Sequence, residues 1–112
     1  MDFKIEKEKN FLIVSLNGEI DHHNSEIIKE RIDEAIIKQH TKNLILDFKN
    51  VDFMDSSGIG LILGRYKKIK AIDGHVYVVD NSHIKRVLEM SGIYKIIRTF
   101  DSLKKAKEYA GR

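Results

Sequence analysis

The sequence alternates apolar runs too short to be helices with longer stretches that carry apolar residues at helical spacing. That alternation is what most restricts the fold. Leu44-Ile45-Leu46-Asp47-Phe48 and Val76-Tyr77-Val78-Val79 have the length and density of strands buried on both faces. Between and around them the period changes. From Asn24 to about Gln39, Ile27, Ile28, Ile32, Ala35 and Ile36 recur as one stripe of an amphipathic helix, with Asn24 or Ser25 expected as its cap. A second stripe starts near Ser56 and contains Ile59, Ile62, Leu63, Tyr66 and Ile69. Phe3 to Lys7 and Phe11 to Leu16 read as a hairpin, with Gly18 expected to stop its second strand and a turn expected at Lys49-Asn50. Ser82 to Met90 and Asp101 to Tyr109 read as two further helices, separated by a short strand at Ile96-Ile97.

The order β-β-α-β-α-β-α-β-α implies an α/β layered domain. Its sheet is expected to be small, mixed and mostly parallel, with the N-terminal hairpin as an antiparallel edge. With 112 residues, no proline and no Gly/Ser-rich linker, one domain over 1–112 is expected. The apolar stripes, including Tyr66, Met90 and Ile93, are assigned to the core.

Composition removes several classes of function. There is no cysteine, so disulfides, thiolate metal sites and thiol nucleophiles are excluded, and a reducing compartment is the expected setting. Twenty basic residues stand against seventeen acidic ones, for a net charge of +3. The signs are interspersed, as on a solvated surface rather than a nucleic-acid stripe. No apolar run is long enough to span a bilayer, and Met1-Asp2-Phe3-Lys4-Ile5-Glu6 alternates charged with apolar groups, unlike a signal peptide. The expected address is the cytoplasm, with no nucleic-acid or membrane partner.

Chemistry concentrates in Phe53-Met54-Asp55-Ser56-Ser57-Gly58-Ile59-Gly60, where an extended segment becomes a helix. A helix start has unpaired N–H groups and the positive end of the helix dipole, so a phosphate there meets ready donors. Ser56 or Ser57 therefore reads either as an N-cap or as a phosphoacceptor. Asp55 either caps the helix or holds the neighbouring hydroxyl. Gly58, Gly60 and Gly64 each cost helix propensity, which calls for close packing or close approach of a partner. Gly18-Glu19-Ile20-Asp21-His22-His23 is a second polar loop, placed where it could adjoin the first. Adjacent histidines in extended chain point apart, and no multi-ligand spacing supports a metal. No phosphate-binding glycine loop with lysine, kinase signature or nucleophile elbow is present, so neither a cofactor nor catalysis is expected.

Phe53 to Gly60, continued by Ile62-Leu63-Gly64-Arg65-Tyr66-Lys67, strongly resembles the anti-sigma factor antagonists of the STAS domain class. Gly18 to His23 looks like the first loop of that class, and Met90 to Ile97 like its C-terminal segment. The paired histidines and Leu-Gly-Arg-Tyr-Lys are most similar to the sporulation branch, whose members antagonise the anti-sigma F factor. The resemblance implies a small sheet with helices mainly on one face. It further implies that the unmodified monomer binds an anti-sigma factor that is also a serine kinase. Phosphorylation at the position matching Ser56 would end that binding, and a serine phosphatase would restore it. Asp21, Asp55, Ser56, Ser57, Gly58 and Ile59 are the implied partner-binding residues. A general-stress sigma circuit and a small nucleotide-binding protein are the alternatives.

Overall fold

A computed structural model describes residues 2–111; Met1 and Arg112, included in the expected domain, lie outside the described residues. Strand β1 (Asp2–Glu8) turns through Lys9, in the left-handed region at φ 55°, into β2 (Phe11–Ile20). Helix α1 (His22–Gln39), strand β3 (Asn43–Met54), helix α2 (Ser56–Lys70) and strand β4 (His75–Val79) follow. Helix α3 (Lys85–Ser91), a single 3-10 turn (Ile93–Lys95), strand β5 (Arg98–Phe100) and helix α4 (Leu103–Ala110) complete the order. The sheet runs β1-β2-β3-β4-β5, antiparallel at β1/β2 and parallel elsewhere.

The period-2 alternation of the strands divides the apolar residues between two layers. Leu12, Val14 and Leu16 of β2 and Leu44, Leu46 and Phe48 of β3 face the larger core, with Ile28 and Ile32 of α1, Leu61, Ile62 and Ile69 of α2, and Leu88 of α3. Phe11, Ile13, Ile45 and Val79 face the other way, onto Ala106 of α4. Three helices thus cover one face and one covers the other.

The strands run further than their apolar runs suggest. Gly18 does not end β2: it adopts φ +92°, which a glycine takes without a Cβ penalty, and the strand continues to Ile20. Nor is Lys49-Asn50 a turn. Ser15 to Glu19 spans four residue steps, and the paired span of β3, Asp47 to Phe53, spans six, with register shifts between. Two extra residues bulge β3 at this end.

A bulge leaves carbonyls without ladder partners, and Asn81, just past β4, answers them. Its Nδ2 donates to the carbonyls of Phe48, Lys49 and Val51 at 2.9, 2.9 and 2.8 Å. Its Oδ1 accepts from the N–H groups of His83 and Ile84 at 2.7 and 3.2 Å, ordering the turn into α3. Asn81→Ala is expected to cost about 2 kcal/mol or more, since part-buried carbonyls lose their donor; urea unfolding would measure it.

Three other expectations shift. The last strand pairs Arg98–Phe100 with Tyr77–Val79, not Ile96-Ile97, because the Ile97 side chain is taken into the core. Helix α3 begins at Lys85, after the Asn81 turn. Met90, assigned to the core with Tyr66 and Ile93, is 77% exposed, while Ile93 is buried and Tyr66 packs against the larger core.

On the α4 side of β3, Asp47 is buried beside Ile45 and accepts from the Lys49 N–H at 2.9 Å. Burial raises its carboxyl pKa, only partly opposed by that N–H and the Lys49 charge. A raised folded value means its favourable contribution is present below the unfolded pKa of about 3.9 and is lost as pH rises through the folded value. Asp47→Asn keeps the acceptor oxygen, so it is expected to be more stable than the parent at neutral pH. That advantage should fade in acid, a trend readable from urea midpoints across the pH range.

Candidate functional site

Strands β2 and β3 end side by side, with Ile20 paired to Met54 and the Asp55 N–H donating to the Ile20 carbonyl at 3.3 Å. The next residue of each chain segment, Asp21 and Asp55, caps the helix that follows. The two loops singled out in the sequence therefore form one pole, at the carboxyl ends of parallel strands and under the N-termini of two helices. That is the customary place for a site in an α/β sheet.

Asp21 Oδ1 accepts from the N–H groups of His23 and Asn24 at 2.9 and 3.1 Å. Asn24 reaches back to the Asp21 N–H at 3.1 Å and also donates to the Glu19 carbonyl at 2.9 Å. The cap of α1 is thus Asp21, and neither Asn24 nor Ser25; Asn24 is the reciprocal half of a capping box, and Ser25 is buried. The Asn24 N–H, above all, holds the Asp21 carboxyl below its ordinary range, helped by the His23 N–H and the charges of His23 and His22. The stabilisation from this cap is present above the unfolded pKa and disappears as pH falls through the lower folded value.

At the second loop, Asp55 Oδ1 accepts from the Ser57 N–H at 2.8 Å, in extended backbone at φ −99°. This settles the capping question against both serines. Ser56 is the first helical residue and exposed, and its hydroxyl makes no hydrogen bond among the described residues. Ser57 is half-buried, with its N–H engaged by the cap. The other expected contact residues lie deeper. Gly58 is buried, and a Cβ there would meet Met54 Sδ at 2.7 Å, so this glycine serves close packing and is not an open approach. Ile59 is half-buried against the larger core. Gly60 and Gly64 are open, with nothing within 4 Å of a Cβ at either.

His22 and His23 fall in the first turn of α1, so their rings do not point apart as in extended chain; the centroids are 4.2 Å apart and both residues are exposed. Among the described residues no group of three His, Asp or Glu is placed to hold a metal. Behind the pole, Arg65 of α2 is buried and pairs with Asp33 of α1, Nε to Oδ1 at 2.9 Å. Lys68 reaches the other Asp33 oxygen at 2.8 Å. This ion pair ties α1 to α2 well beyond their capped N-termini. Asn81 and the Arg65–Asp33 pair are the supporting residues that sequence reasoning missed. Asn81 followed by a helical stretch was a readable cap signal; the pairing of Arg65 with Asp33 left no local trace.

Residues 2–106 match the STAS domain. This chain belongs to the STAS domain family. An anti-sigma F factor antagonist of Paenibacillus polymyxa is 43% identical over 103 residues, 91% of this chain and 88% of that protein. The anti-sigma-B factor antagonist of Bacillus subtilis (strain 168) is 26% identical over 94 residues, 83% of this STAS chain and 84% of its relative. Among solved structures, the Bacillus cell fate determinant SpoIIAA in its phosphorylated form matches with a TM-score of 0.77 at 29% identity, covering 96% of this chain and 98% of that one. The family expected from Phe53 to Lys67 is the family found. No helix of the described residues is long and apolar enough to cross a membrane.

Proposed function

We propose that this STAS domain is an anti-sigma factor antagonist, a regulatory binding protein and not an enzyme, switched by phosphorylation of Ser56. In this reading the unmodified protein binds an anti-sigma factor that is also a serine kinase, and the sigma factor is released. Phosphate on Ser56 ends the binding, and a serine phosphatase restores it. The circuit is that of the sporulation sigma factor F, in keeping with the 43% identity to an anti-sigma F factor antagonist. A general-stress circuit is the second reading, favoured by the more distant likeness to an anti-sigma-B factor antagonist.

The observation that carries the proposal is the division of labour at the start of α2. Asp55 does the capping, which leaves the Ser56 hydroxyl outside any structural role, exposed at a helix N-terminus and on the same pole as the Asp21 loop. A partner can close over this neutral hydroxyl. Phosphorylation would put about −1.5 to −2 charges there, beside the Asp55 carboxylate. No lysine or arginine is ion-paired with Asp55 or Asp21 among the described residues. The new charge is therefore left facing the partner. Titrating the unmodified protein into a preformed anti-sigma F–sigma F complex tests the circuit. Release of sigma F is expected, and an intact complex at saturating protein would refute this assignment.

A further inference from the structure

The most marked unassigned feature lies at the opposite pole, where β2 and β3 begin. A groove of about 700 Å³ opens between the β1–β2 turn, the C-terminal end of α1 and the turn after α2. Lys7, Lys9 and Lys42 line it with His40, and Ile37 and Ile72 supply apolar surface at 75% and 48% exposure. No aspartate or glutamate lines it among the described residues. The neighbouring carboxylates are directed elsewhere: Glu8 pairs with Lys107 at 3.0 Å, and Asp73 lines an adjoining cleft. None of the three lysines has an ion-pair partner among the described residues; Lys7 Nζ donates to the Gln39 carbonyl at 3.3 Å.

Part of this positive charge answers the negative end of α1. That role does not explain why two large isoleucines stand exposed between the lysines. Nor does it explain Thr41, which lines the same groove at 6% exposure with a hydroxyl that has no hydrogen-bond partner among the described residues. The groove shares Asn10, Lys42 and Asn43 with the adjoining cleft, where Lys70 and Arg98 stand with Asp73, so the positive charge without a carboxylate beside it is that of the groove itself. A track with apolar footholds between cations is complementary to an extended chain that alternates carboxylates with aliphatic side chains.

We propose that this groove docks an acidic, leucine-bearing segment of a second partner protein. The site lies at the other end of the parallel strands from Ser56, in a molecule 30 Å along its longest axis. Its lining shares no residue with the Ser56 pole, so the two surfaces are separate. The inference does not depend on the sigma-factor circuit.

The test is a titration of the 15N-labelled protein, followed by amide chemical shifts, with a synthetic peptide alternating glutamate and leucine. A lysine–leucine peptide and decanoate serve as comparisons. Saturable shifts at Lys9, Ile37, Thr41 and Ile72, with Ser56 unmoved, are expected from the acidic peptide alone. Ile37→Ser and Lys42→Glu should each weaken its binding about tenfold or more. Both side chains are exposed, so the urea midpoint should be unchanged for Ile37→Ser and only slightly lowered for Lys42→Glu, through the reversed charge near the C-terminal end of α1. Absence of saturable shifts, equal shifts with the basic peptide, or full affinity in both variants would overturn the proposal. Decanoate saturating the same amides would overturn it too, by making the groove a site for a small amphiphile.

Discussion

Phosphorylation of Ser56 is expected to weaken binding to the anti-sigma factor by about a hundredfold or more, a loss of ~2.7 kcal/mol or greater, while leaving the fold of the antagonist as stable as before. Ser56→Asp should move affinity in the same direction by less, because it carries one charge instead of nearly two. Ser56→Ala should bind normally and resist switching. The separation of binding from stability follows from the helix start. Ser56 is exposed and caps nothing, and negative charge at a helix N-terminus is favourable, so stability should stay within about 0.5 kcal/mol. Calorimetric titration against the anti-sigma factor and urea unfolding of the same samples would check both halves. A large fall in stability on Ser56→Asp would mean that the serine has a structural role the geometry does not give it.

The largest effect on stability is expected from Gly74→Ala. A Cβ at Gly74 would sit 1.6 Å from the Lys42 carbonyl oxygen, 2.7 Å from the Lys42 carbonyl carbon and 2.8 Å from Ile69 Cγ2. That carbonyl accepts the His75 N–H at 3.1 Å, and the Gly74 N–H donates to the Ile69 carbonyl at 2.9 Å. Relief of the clash must separate the start of β4 from the start of β3, or pull the end of α2 off the sheet. A loss of about 4 kcal/mol or more is expected. Gly60→Ala gives the opposite sign. Its Cβ meets nothing within 4 Å, so the helix gains about 0.5 to 1 kcal/mol. Urea midpoints moving in opposite directions for the two substitutions would verify this; a Gly74→Ala protein as stable as the parent would show that the α2–β4 turn is not seated on β3 as described.

Much of this architecture was legible because burial writes itself into sequence as period. The β2 and β3 apolar runs show which residues face which layer, and the α1 and α2 stripes carry the cores that cover them. What escaped depended on geometry between segments. Gly18 reads as a stop in any local view, yet the sheet uses its left-handed φ to carry β2 onward to Ile20. The two bulges of β3 have no compositional mark, since Lys49, Asn50 and Asp52 look like turn residues; only pairing with β2 and the Asn81 side chain makes them strand. The cap of α1 was misassigned, and that of α2 left open, for a related reason. Asp21, Asn24 and Ser25, like Asp55, Ser56 and Ser57, are all good capping types. Which one starts the helix depends on where the preceding strand releases the chain, and that is fixed by the Ile20–Met54 pairing. Both loops were therefore visible in the sequence, while only three dimensions show Asp55 as the cap and Ser56 as an exposed hydroxyl.

One measurement addresses the proposed role of Ser56 directly. The purified protein would be incubated with the proposed anti-sigma kinase and ATP, digested, and mapped by mass spectrometry for phosphate. Phosphate on Ser56, absent from the Ser56→Ala protein and with Ser57 unmodified, is the expected result; phosphate on Ser57 alone, or on neither serine, would contradict it.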